Sequence, residues 1–343
     1  MIISEDSTQS AINSADSNYG SVLPTISIVI VNYNYGKFLS TAISSCLGQT
    51  YPNIETIVVD DGSSDNSKSV IDSFGNRIIS ILKQNGGHAS ALNAGVKASS
   101  GEIICLLDAD DLFLPERLDY IAEFFYSDPA IGWVFTGSAP IDTEKIVLTD
   151  IDLLFEQVRA QPNEENLKKV DFRDEIVLGK TPSFAPSTSN LCFSRNVSEK
   201  LFPIPEVKGI SGIAITDIYV RTLLVGLSAG YVTTKDVGIY RFHDNYYKNL
   251  NISKKRRVFG EIYTATGYWM HTNFPEFKKI SRKFLSKGFS TYLSSNYSMN
   301  ESADADCRQM LNNYLKQISL LEQLETYLLI FYYCSRLRFK NLV

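Results

Sequence analysis

The sequence predicts an α/β protein whose mostly parallel sheet is flanked by helices and followed by a helical extension. Over the first 250 residues, apolar runs typical of buried strands alternate with segments of helical period. Several of these runs end in polar or acidic clusters, and ligands bind at the carboxyl ends of the strands in open α/β sheets. Beyond Asn251 the chain changes to long helical segments without such clusters.

The order of the predicted elements supports this fold class. The predicted strands are 26–31, 55–59, 78–82, 103–107, 132–135, 190–193 and 231–241, and the clearest helices are 37–47, 88–97, 116–126 and 216–227. From Asp142 to Asp174 the pattern is weak, and its best interpretation is a strand at 146–148 and a helix at 153–159. Alternating strands and helices at this spacing favour parallel strands joined by crossover helices.

The composition narrows the class of protein and its partners. The chain is 44% hydrophobic and 21% charged with a formal net charge of −5, which argues against a nucleic-acid partner. Its five cysteines are scattered, without the spacing of a zinc site or a disulfide framework. We therefore expect buried free thiols and a cytoplasmic protein.

The ends of the chain differ in character from its centre. Residues 1–23 are rich in Ser, Asn and Asp and lack the basic and apolar regions of a signal peptide, so a flexible polar tail is predicted. No run of about 18 apolar residues occurs, and no membrane span is expected. We divide the remainder at 24–135, 136–247 and 248–343, the last being the helical extension.

The most informative stretch is the fourth predicted strand and the acidic residues after it. Ile103–Leu107 leads directly into Asp108, Asp110 and Asp111. Three carboxylates within four positions are costly unless a cation shares the site. A hard divalent cation that also binds phosphate oxygens would explain them. Short acidic clusters are also common in solvated loops and helix caps, so this spacing alone does not distinguish a cation site from a loop or a cap.

Several motifs together resemble the inverting glycosyltransferases of family 2, which have the GT-A fold. The motifs are VVDDGSSD at 58–65, NGGHASALNAGV at 85–96, GEIICLLDADDLFLPERL at 101–118, LCFSRNVSEKLFPIPE at 191–206, TDIYVRTLLVGLSAG at 216–230 and IYRFHDNYY at 239–247. The resemblance covers roughly residues 24–247. It implies that 24–135 is the nucleotide-sugar half of a GT-A domain and that 136–247 is its acceptor half.

The resemblance also implies roles for residues of the donor site. Tyr33 would stack on the base, Asp61 would pair with a uracil edge, and Asn93 would form a hydrogen bond to the donor. Asp108 would contact the ribose or the metal, and Asp110 would coordinate Mn²⁺ or Mg²⁺ bridging the diphosphate.

One departure from the family's pattern affects the diphosphate contacts. This chain has Ala91-Leu92-Asn93 where many relatives carry Ala-Arg-Asn, which removes one contact to the diphosphate.

In the acceptor half, the resemblance implies that Asp217 is the general base and that His243 is a further metal or diphosphate ligand. Thr216 stands where many relatives have Glu. An Asp at a helix N-terminus also stabilises the helix dipole without any catalytic role.

Other polar residues receive structural interpretations. We expect Asp60 to support its turn, Asp111 to assist a neighbour in the site or cap a local turn, and His88 and His271 to be surface or core residues. Lys254–Arg257 is interpreted as a solvated helix face, with anionic lipid head groups as the alternative partner. Tyr327–Tyr333 fits an interfacial helix, ordinary helix packing or a dimer contact.

The sequence thus predicts a metal-dependent inverting glycosyltransferase that uses a nucleoside-diphosphate sugar, with a UDP-sugar as the expected donor. Its acceptor would be a hydroxyl of a saccharide or a lipid-linked acceptor in glycan synthesis. A peripheral contact with the inner face of the membrane and a homo-oligomer are further expectations. The alternatives are a sugar nucleotidyltransferase, which usually opens with a Gly-rich basic loop that this chain lacks, and a catalytically silent sugar-nucleotide-binding protein.

Overall fold

The computed structural model describes residues 23–142, 151–161, 164–207, 215–243, 250–295 and 306–339. Its strands are β1 (Ile26–Asn32), β2 (Ile54–Asp60), β3 (Ile79–Leu82), β4 (Ile103–Asp108), β5 (Leu112–Phe113), β6 (Trp133–Asp142), β7 (Leu167–Val170), β8 (Leu191–Ser194) and β9 (Gly230–Phe242). The predicted strand at 146–148 and nearly all of the predicted tail lie outside the described residues.

The helices surround the sheet and form the C-terminal part. They are α1 (Gly36–Leu47), α2 (Ser67–Phe74), α3 (His88–Ala98), α4 (Arg117–Ser127), α5 (Ile151–Arg159), α6 (Arg173–Val177), α7 (Arg195–Leu201), α8 (Asp217–Leu227), α9 (Ile252–Asn273), α10 (Lys278–Leu293), α11 (Cys307–Lys316) and α12 (Leu320–Phe339). The short elements β5, β7, α6 and α7 have no counterpart among the predicted elements.

The described strands form one sheet in the order β3-β2-β1-β4-β8-β6-β9-β5, with β7 also paired to β9. β1 is parallel to both β2 and β4, which confirms the predicted parallel half. β8 then inserts antiparallel between β4 and β6. The mostly parallel α/β architecture is therefore confirmed, and the antiparallel insertion is a feature that the alternation of elements did not indicate.

The central strands are apolar at nearly every buried position, and Ser27 of β1 is a buried exception whose hydroxyl donates to Glu55. Along β1, Ile26, Ile28 and Ile30 belong to the apolar cluster on one face of the sheet, and Val29 and Val31 belong to the cluster on the other face. Successive side chains of a strand point to opposite faces, so a strand covered on both sides is apolar along nearly all of its length. This requirement explains the continuous apolar runs of the sequence.

The C-terminal helices share a core with the sheet. Met270 on α9 and Phe284 on α10 belong to the same apolar cluster as Val29 and Val31 of β1. Glycines allow α9 and α10 to pack closely, because a Cβ at Gly267 would lie 2.4 Å from the backbone nitrogen of Leu285. The predicted boundary near residue 248 stays a prediction, and the packing joins the helices beyond it to the α/β core.

The last helix, α12, exposes most of its apolar side chains. The exposed ones are Leu320, Leu321, Leu324, Tyr327, Leu328, Phe331 and Tyr332, whereas Thr326 is fully buried. Across the described residues, no helix combines the length and the apolar character needed to cross a membrane. The free thiols are as predicted, since Cys46, Cys105, Cys192 and Cys307 are buried and unpaired.

Candidate functional site

The candidate site lies where β1, β2 and β4 end, at one edge of the sheet. Asn32 closes β1 and donates a hydrogen bond of 2.6 Å to Asp60 at the end of β2. The hydroxyl of Ser63 donates to the same Asp60 oxygen, and the Ser63 backbone N–H donates to the other. Asp60 therefore supports the turn after β2, in agreement with its predicted role.

Asp61 braces the loop that leads into α3. One carboxylate oxygen accepts hydrogen bonds from Lys83 Nζ at 2.6 Å and from the Gly86 N–H at 2.9 Å. The other accepts from the Gly87 N–H at 2.7 Å, and Asp61 is only 3% exposed. Gly87 has φ of 89°, a left-handed conformation that suits glycine. The predicted contact between Asp61 and uracil stays a prediction.

Asn93 joins α3 to the segment that follows α7. Its amide nitrogen donates to the backbone oxygen of Ile204 at 2.8 Å, and its amide oxygen accepts from the Ile204 N–H at 2.8 Å. Leu92, where relatives carry Arg, is 1% exposed and belongs to the core. The predicted hydrogen bond from Asn93 to the donor is likewise untested.

Tyr33 occupies the turn between β1 and α1 and is 49% exposed. The next residue, Asn34, adopts φ of 59°, and its side-chain oxygen accepts from the Ser64 N–H at 2.8 Å while its N–H donates to Ser63 Oγ at 2.8 Å. These bonds fix the turn to the β2 edge. The Tyr33 ring is thus held in an exposed position at the edge of the sheet, where a base can reach it.

Asp108 ends β4 and contacts His88, the first residue of α3, with 3.1 Å between Oδ1 and Nε2. Burial alone would lower the pKa of His88, but Asp108, with Asp217 and Asp110 nearby, raises it. Burial, opposed by His88 and reinforced by Asp110 and Asp217, raises the pKa of Asp108. Both directions mean that the pair keeps a proton to a higher pH than isolated side chains would.

Asp110 pairs with His243, the last described residue after β9, at 2.8 Å between Oδ2 and Nε2. The His243 ring lies against two aromatic rings of the β1–α1 region, with centroids 4.9 Å from Phe38 and 5.5 Å from Tyr35. The two residues were predicted together as metal ligands from positions 133 residues apart, and the fold brings them into contact.

Asp111 supports its neighbours from within the core. It is 3% exposed, and its carboxylate accepts from Ser189 Oγ at 2.7 Å and from the Arg241 N–H at 3.2 Å. Ser189 Oγ in turn accepts the Asp108 N–H at 3.1 Å. Burial, with Asp110 and Asp108 adding to it, raises the pKa of Asp111 well above its usual range. Of its two expected roles, assistance to a neighbour matches these contacts.

Arg241 holds the acidic turn in place. Its guanidinium, 2% exposed, donates to the backbone oxygens of Ala109, Asp110 and Asp111 and to Phe38 O and Thr41 Oγ1 of α1. Burial lowers the pKa of Arg241 to about 10, with Asp110 and Asp111 opposing that shift. The residue remains a cation at neutral pH and fixes both the turn and its distance from α1.

Asp217 is the first residue of α8 and accepts a short hydrogen bond from Thr188 Oγ1. Thr188 precedes Ser189, whose Oγ accepts the Asp108 N–H, so Asp217 lies near the carboxyl end of β4. The fold therefore gathers Asp108, Asp110, Asp217 and His243 from three separate parts of the chain into one site.

The residues present fit a divalent cation shared with a substrate. No group of three or more His, Cys, Asp or Glu side chains suited to hold a metal occurs among the described residues. Asp110 and His243 nevertheless place an oxygen and a nitrogen 2.8 Å apart, close to the roughly 3 Å between adjacent ligands of an octahedral ion with bonds of about 2.1 Å. Mg²⁺ usually takes one or two protein carboxylates and fills its other positions with phosphate oxygens and water.

Three residues of the site escaped the sequence analysis. His88 was interpreted as a surface or core residue, yet it contacts Asp108. Its position directly after the Gly86-Gly87 turn was the available signal. For Arg241, the available signal was a charged residue inside an otherwise apolar predicted strand. Ser189 gave no signal, because only the antiparallel placement of β8 brings the preceding turn beside β4.

Comparisons with known proteins relate this chain to glycosyltransferases. The family described as Glycosyl transferase family 2 matches residues 27–190. An uncharacterised glycosyltransferase of Nostoc sp. is 35% identical over 190 residues, which cover 53% of this chain and 55% of the relative. The chondroitin synthase of Pasteurella multocida is 34% identical over 125 residues, which cover 36% of this chain and 13% of the synthase.

A solved structure shows the same fold. Residues 1–349 of S. aureus TarS, in complex with UDP-GlcNAc, are similar with a TM-score of 0.52 at 17% identity, covering 87% of this chain and 77% of TarS 1–349. The match to the Nostoc relative spans about half of that relative's length. At this identity the structural likeness establishes the GT-A architecture alone.

Proposed function

Because this chain belongs to glycosyltransferase family 2, carrying the family's domain over residues 27–190, we propose that it is a metal-dependent inverting glycosyltransferase. It would transfer a sugar from a nucleoside-diphosphate sugar to a hydroxyl of a saccharide or lipid-linked acceptor in glycan synthesis. The observation that carries the proposal is the convergence of Asp108, Asp110, Asp217 and His243 at the carboxyl edge of the sheet.

The donor would lie across the ends of β1, β2 and β4. Tyr33 offers an exposed ring to the base, and the loop braced by Asp61 forms the neighbouring wall. The complex of TarS with UDP-GlcNAc supports a UDP-sugar as the donor. Asp108 and His88 would contact the ribose or the sugar, since their paired side chains lie at the end of β4.

Asp110 and His243 would hold Mn²⁺ or Mg²⁺. A bound divalent cation neutralises the charge that develops on the leaving diphosphate. The chain's own contribution is to hold these two ligands at a fixed separation, which Arg241 does by binding the backbone of the acidic turn. Phe38 and Tyr35 flank the His243 ring and limit its rotation.

Asp217 would act as the general base. Its carboxylate takes the proton of the acceptor hydroxyl while the oxygen attacks the anomeric carbon and the bond to the diphosphate breaks. A single displacement of this kind inverts the configuration at that carbon. Thr188 donates to one Asp217 oxygen and leaves the other to receive the proton.

The first test is calorimetric titration of UDP, GDP, CDP and dTDP into the full chain with and without Mn²⁺. We expect UDP to bind in a metal-dependent manner and Asp110→Ala to remove that binding, because the variant lacks one of the two ligands. Asp72→Ala, the same change at an exposed position on α2, is the matched control and should bind as the parent does.

The result of this titration also tests the alternative of a catalytically silent sugar-nucleotide-binding protein. If none of the four nucleotides binds in the presence of Mn²⁺, both the proposed enzyme and the sugar-nucleotide-binding alternative are rejected. The expected membrane contact and homo-oligomer stay predictions, and the apolar face exposed on α12 is compatible with either of them.

A further inference from the structure

A cavity of about 190 Å³ lies between the α/β domain and the C-terminal helices. Its walls come from the segment 181–185, from α8, and from α9 and α10, and Phe135 of β6 forms its floor. None of the residues singled out for the donor site or for the metal lines it. The cavity is therefore a second site, distinct from the edge of the sheet where the donor would bind.

Three cations line this α8–α10 cavity and no carboxylate does. They are Arg221 of α8 and the half-buried Lys283 and Lys287, which lie one turn apart on α10. None of the three forms an ion pair with a carboxylate of the described chain, whereas Arg282 on the same helix pairs with Glu322 and Glu325. Like charges brought together in a partly desolvated space are unfavourable unless an anion joins them.

The contacts of Lys283 and Lys287 do not neutralise their ammonium groups, which line the cavity. Lys283 Nζ donates to the backbone oxygen of Gly179 at 3.1 Å, which positions the ammonium without neutralising it. Lys287 Nζ lies 3.9 Å from the centroid of the Tyr263 ring, a cation–π contact that likewise leaves its charge intact. In a protein with a net charge of −5, this is a local concentration of positive charge.

The remaining walls suit a sugar ring. Phe184 and Phe284 are aromatic, and the Phe184 centroid lies 6.0 Å from that of Phe135. Thr181, Ser183 and Thr222 add hydroxyl groups that can donate to or accept from a ligand. Apolar walls with a few polar groups are typical of small-molecule sites.

Two chain segments connect the cavity to the proposed base. Arg221 follows Asp217 by four residues on α8, a rise of about 6 Å along the helix axis. The segment 181–185 continues to Thr188, which donates to the Asp217 carboxylate. The lining of the cavity therefore includes a residue one helical turn from Asp217 and a segment that leads to the hydrogen-bond partner of Asp217.

We propose that the α8–α10 cavity binds an anionic group, a phosphate or a carboxylate, carried by the saccharide acceptor. This inference rests on the proposed glycosyltransferase function and names its acceptor class as anionic saccharides. The cations bind the anionic group, the aromatic rings cover the adjoining sugar, and the accepting hydroxyl extends toward Asp217. The helical extension thereby supplies Tyr263, Lys283, Phe284 and Lys287 to the acceptor site.

The test measures binding of three probes to the full chain by saturation-transfer NMR, with and without UDP and Mn²⁺. The probes are glucose 6-phosphate, methyl β-glucuronide and the neutral methyl β-glucoside. We expect one or both anionic probes to bind and the neutral probe to bind at least tenfold more weakly, because each charge-assisted hydrogen bond contributes roughly a factor of ten or more. Tighter binding of either anion supports the proposal and identifies the group.

The variant Arg221→Gln/Lys287→Gln should weaken the anionic probes about tenfold or more and leave UDP binding unchanged. Lys279→Gln, at an exposed lysine one turn before Lys283 on α10, is the matched control. It should change neither the binding of the anionic probes nor the binding of UDP. Equal binding of neutral and anionic probes, unchanged binding in the double variant, or displacement of the anions by UDP would overturn the proposal. If the full chain binds UDP but neither anionic probe, the proposed role of the cavity is rejected and the proposed glycosyltransferase function is not. If it binds neither UDP nor the anionic probes, the proposed function is rejected as well.

Discussion

Arg241 shows how much one buried side chain contributes to the arrangement of this site. Five hydrogen bonds tie its guanidinium to the turn after β4 and to α1. Asp110, one of the two predicted metal ligands, lies on this turn. His243, the other, follows Arg241 by two residues in the chain. Because a buried guanidinium is stable only when its donors are satisfied, the residue fixes the turn in a single geometry. Arg241 therefore holds the turn that carries Asp110 in one position before any cation binds.

At the same scale, we predict that Asp217→Asn keeps donor binding and lowers the transfer rate by roughly 10²- to 10⁴-fold. The amide retains the shape of the side chain and its place at the start of α8, but it cannot accept the proton. Calorimetry with UDP and Mn²⁺ measures the first property, and release of UDP in the presence of an acceptor measures the second.

Asp174→Asn provides the control, because Asp174 also lies in the first turn of a helix, α6, and is exposed. It should leave both properties unchanged. Full turnover in Asp217→Asn would assign the base to another residue.

Among the elements, α9 combines a packing role with a pH-sensitive group. His271 lies near its end, with its ring 4.7 Å from that of Tyr314 on α11. Burial, reinforced by Arg282 and opposed by Glu322, lowers the pKa of His271 below 6.5. Its Nδ1 is buried without a hydrogen-bond partner among the described residues. The neutral ring fits this position, and the charged ring does not.

We therefore predict that protonation of His271 destabilises the fold. The unfolded chain binds this proton near pH 6.5, and the folded chain binds it only at lower pH, so stability falls as the pH drops through the range between the two values. Below the folded pKa the penalty stays constant. Thermal unfolding between pH 7.5 and 5 should show this loss, and His271→Gln should reduce it.

The control for this prediction is a histidine elsewhere in the molecule. His88→Gln alters a ring that contacts Asp108 at the end of β4, and it should keep the loss that His271 causes. An unchanged pH profile in His271→Gln would contradict the prediction.

At the scale of the whole molecule, the C-terminal helices cover one face of the sheet. Their residues Met270, Phe277, Ile280 and Phe284 are buried in the cluster that includes the strands β1, β2 and β4. Removing them would expose apolar surface on this face of the sheet, at a cost of about 25 cal/mol per Å².

A chain ending at Leu250 should accordingly fail to unfold cooperatively and should aggregate, as measured by thermal denaturation and size-exclusion chromatography. A chain ending at Ser319 is the comparison, since it loses only α12, which contributes nothing to that cluster. We expect it to keep a cooperative transition. A cooperative transition in the shorter chain would show that the α/β part folds alone.

Local patterns in the sequence determine much of this protein. The apolar runs of β1, β2 and β4, their polar or acidic ends and the helices between them are visible as short-range patterns, because a strand buried on both faces is apolar along nearly all of its length. The motifs at those ends also indicate the family. These features can be predicted from the sequence because each depends on a short, continuous stretch of the chain.

Only the tertiary structure decided which distant residues meet. The contacts of Asp110 with His243 and of Asp111 with Ser189 and Arg241 join positions 78 to 133 residues apart. The antiparallel insertion of β8 and the cations shared between α8 and α10 have no local signature either. Such contacts depend on the direction of strands and the packing of layers, which are selected by the burial of the whole core and are not encoded in any single segment.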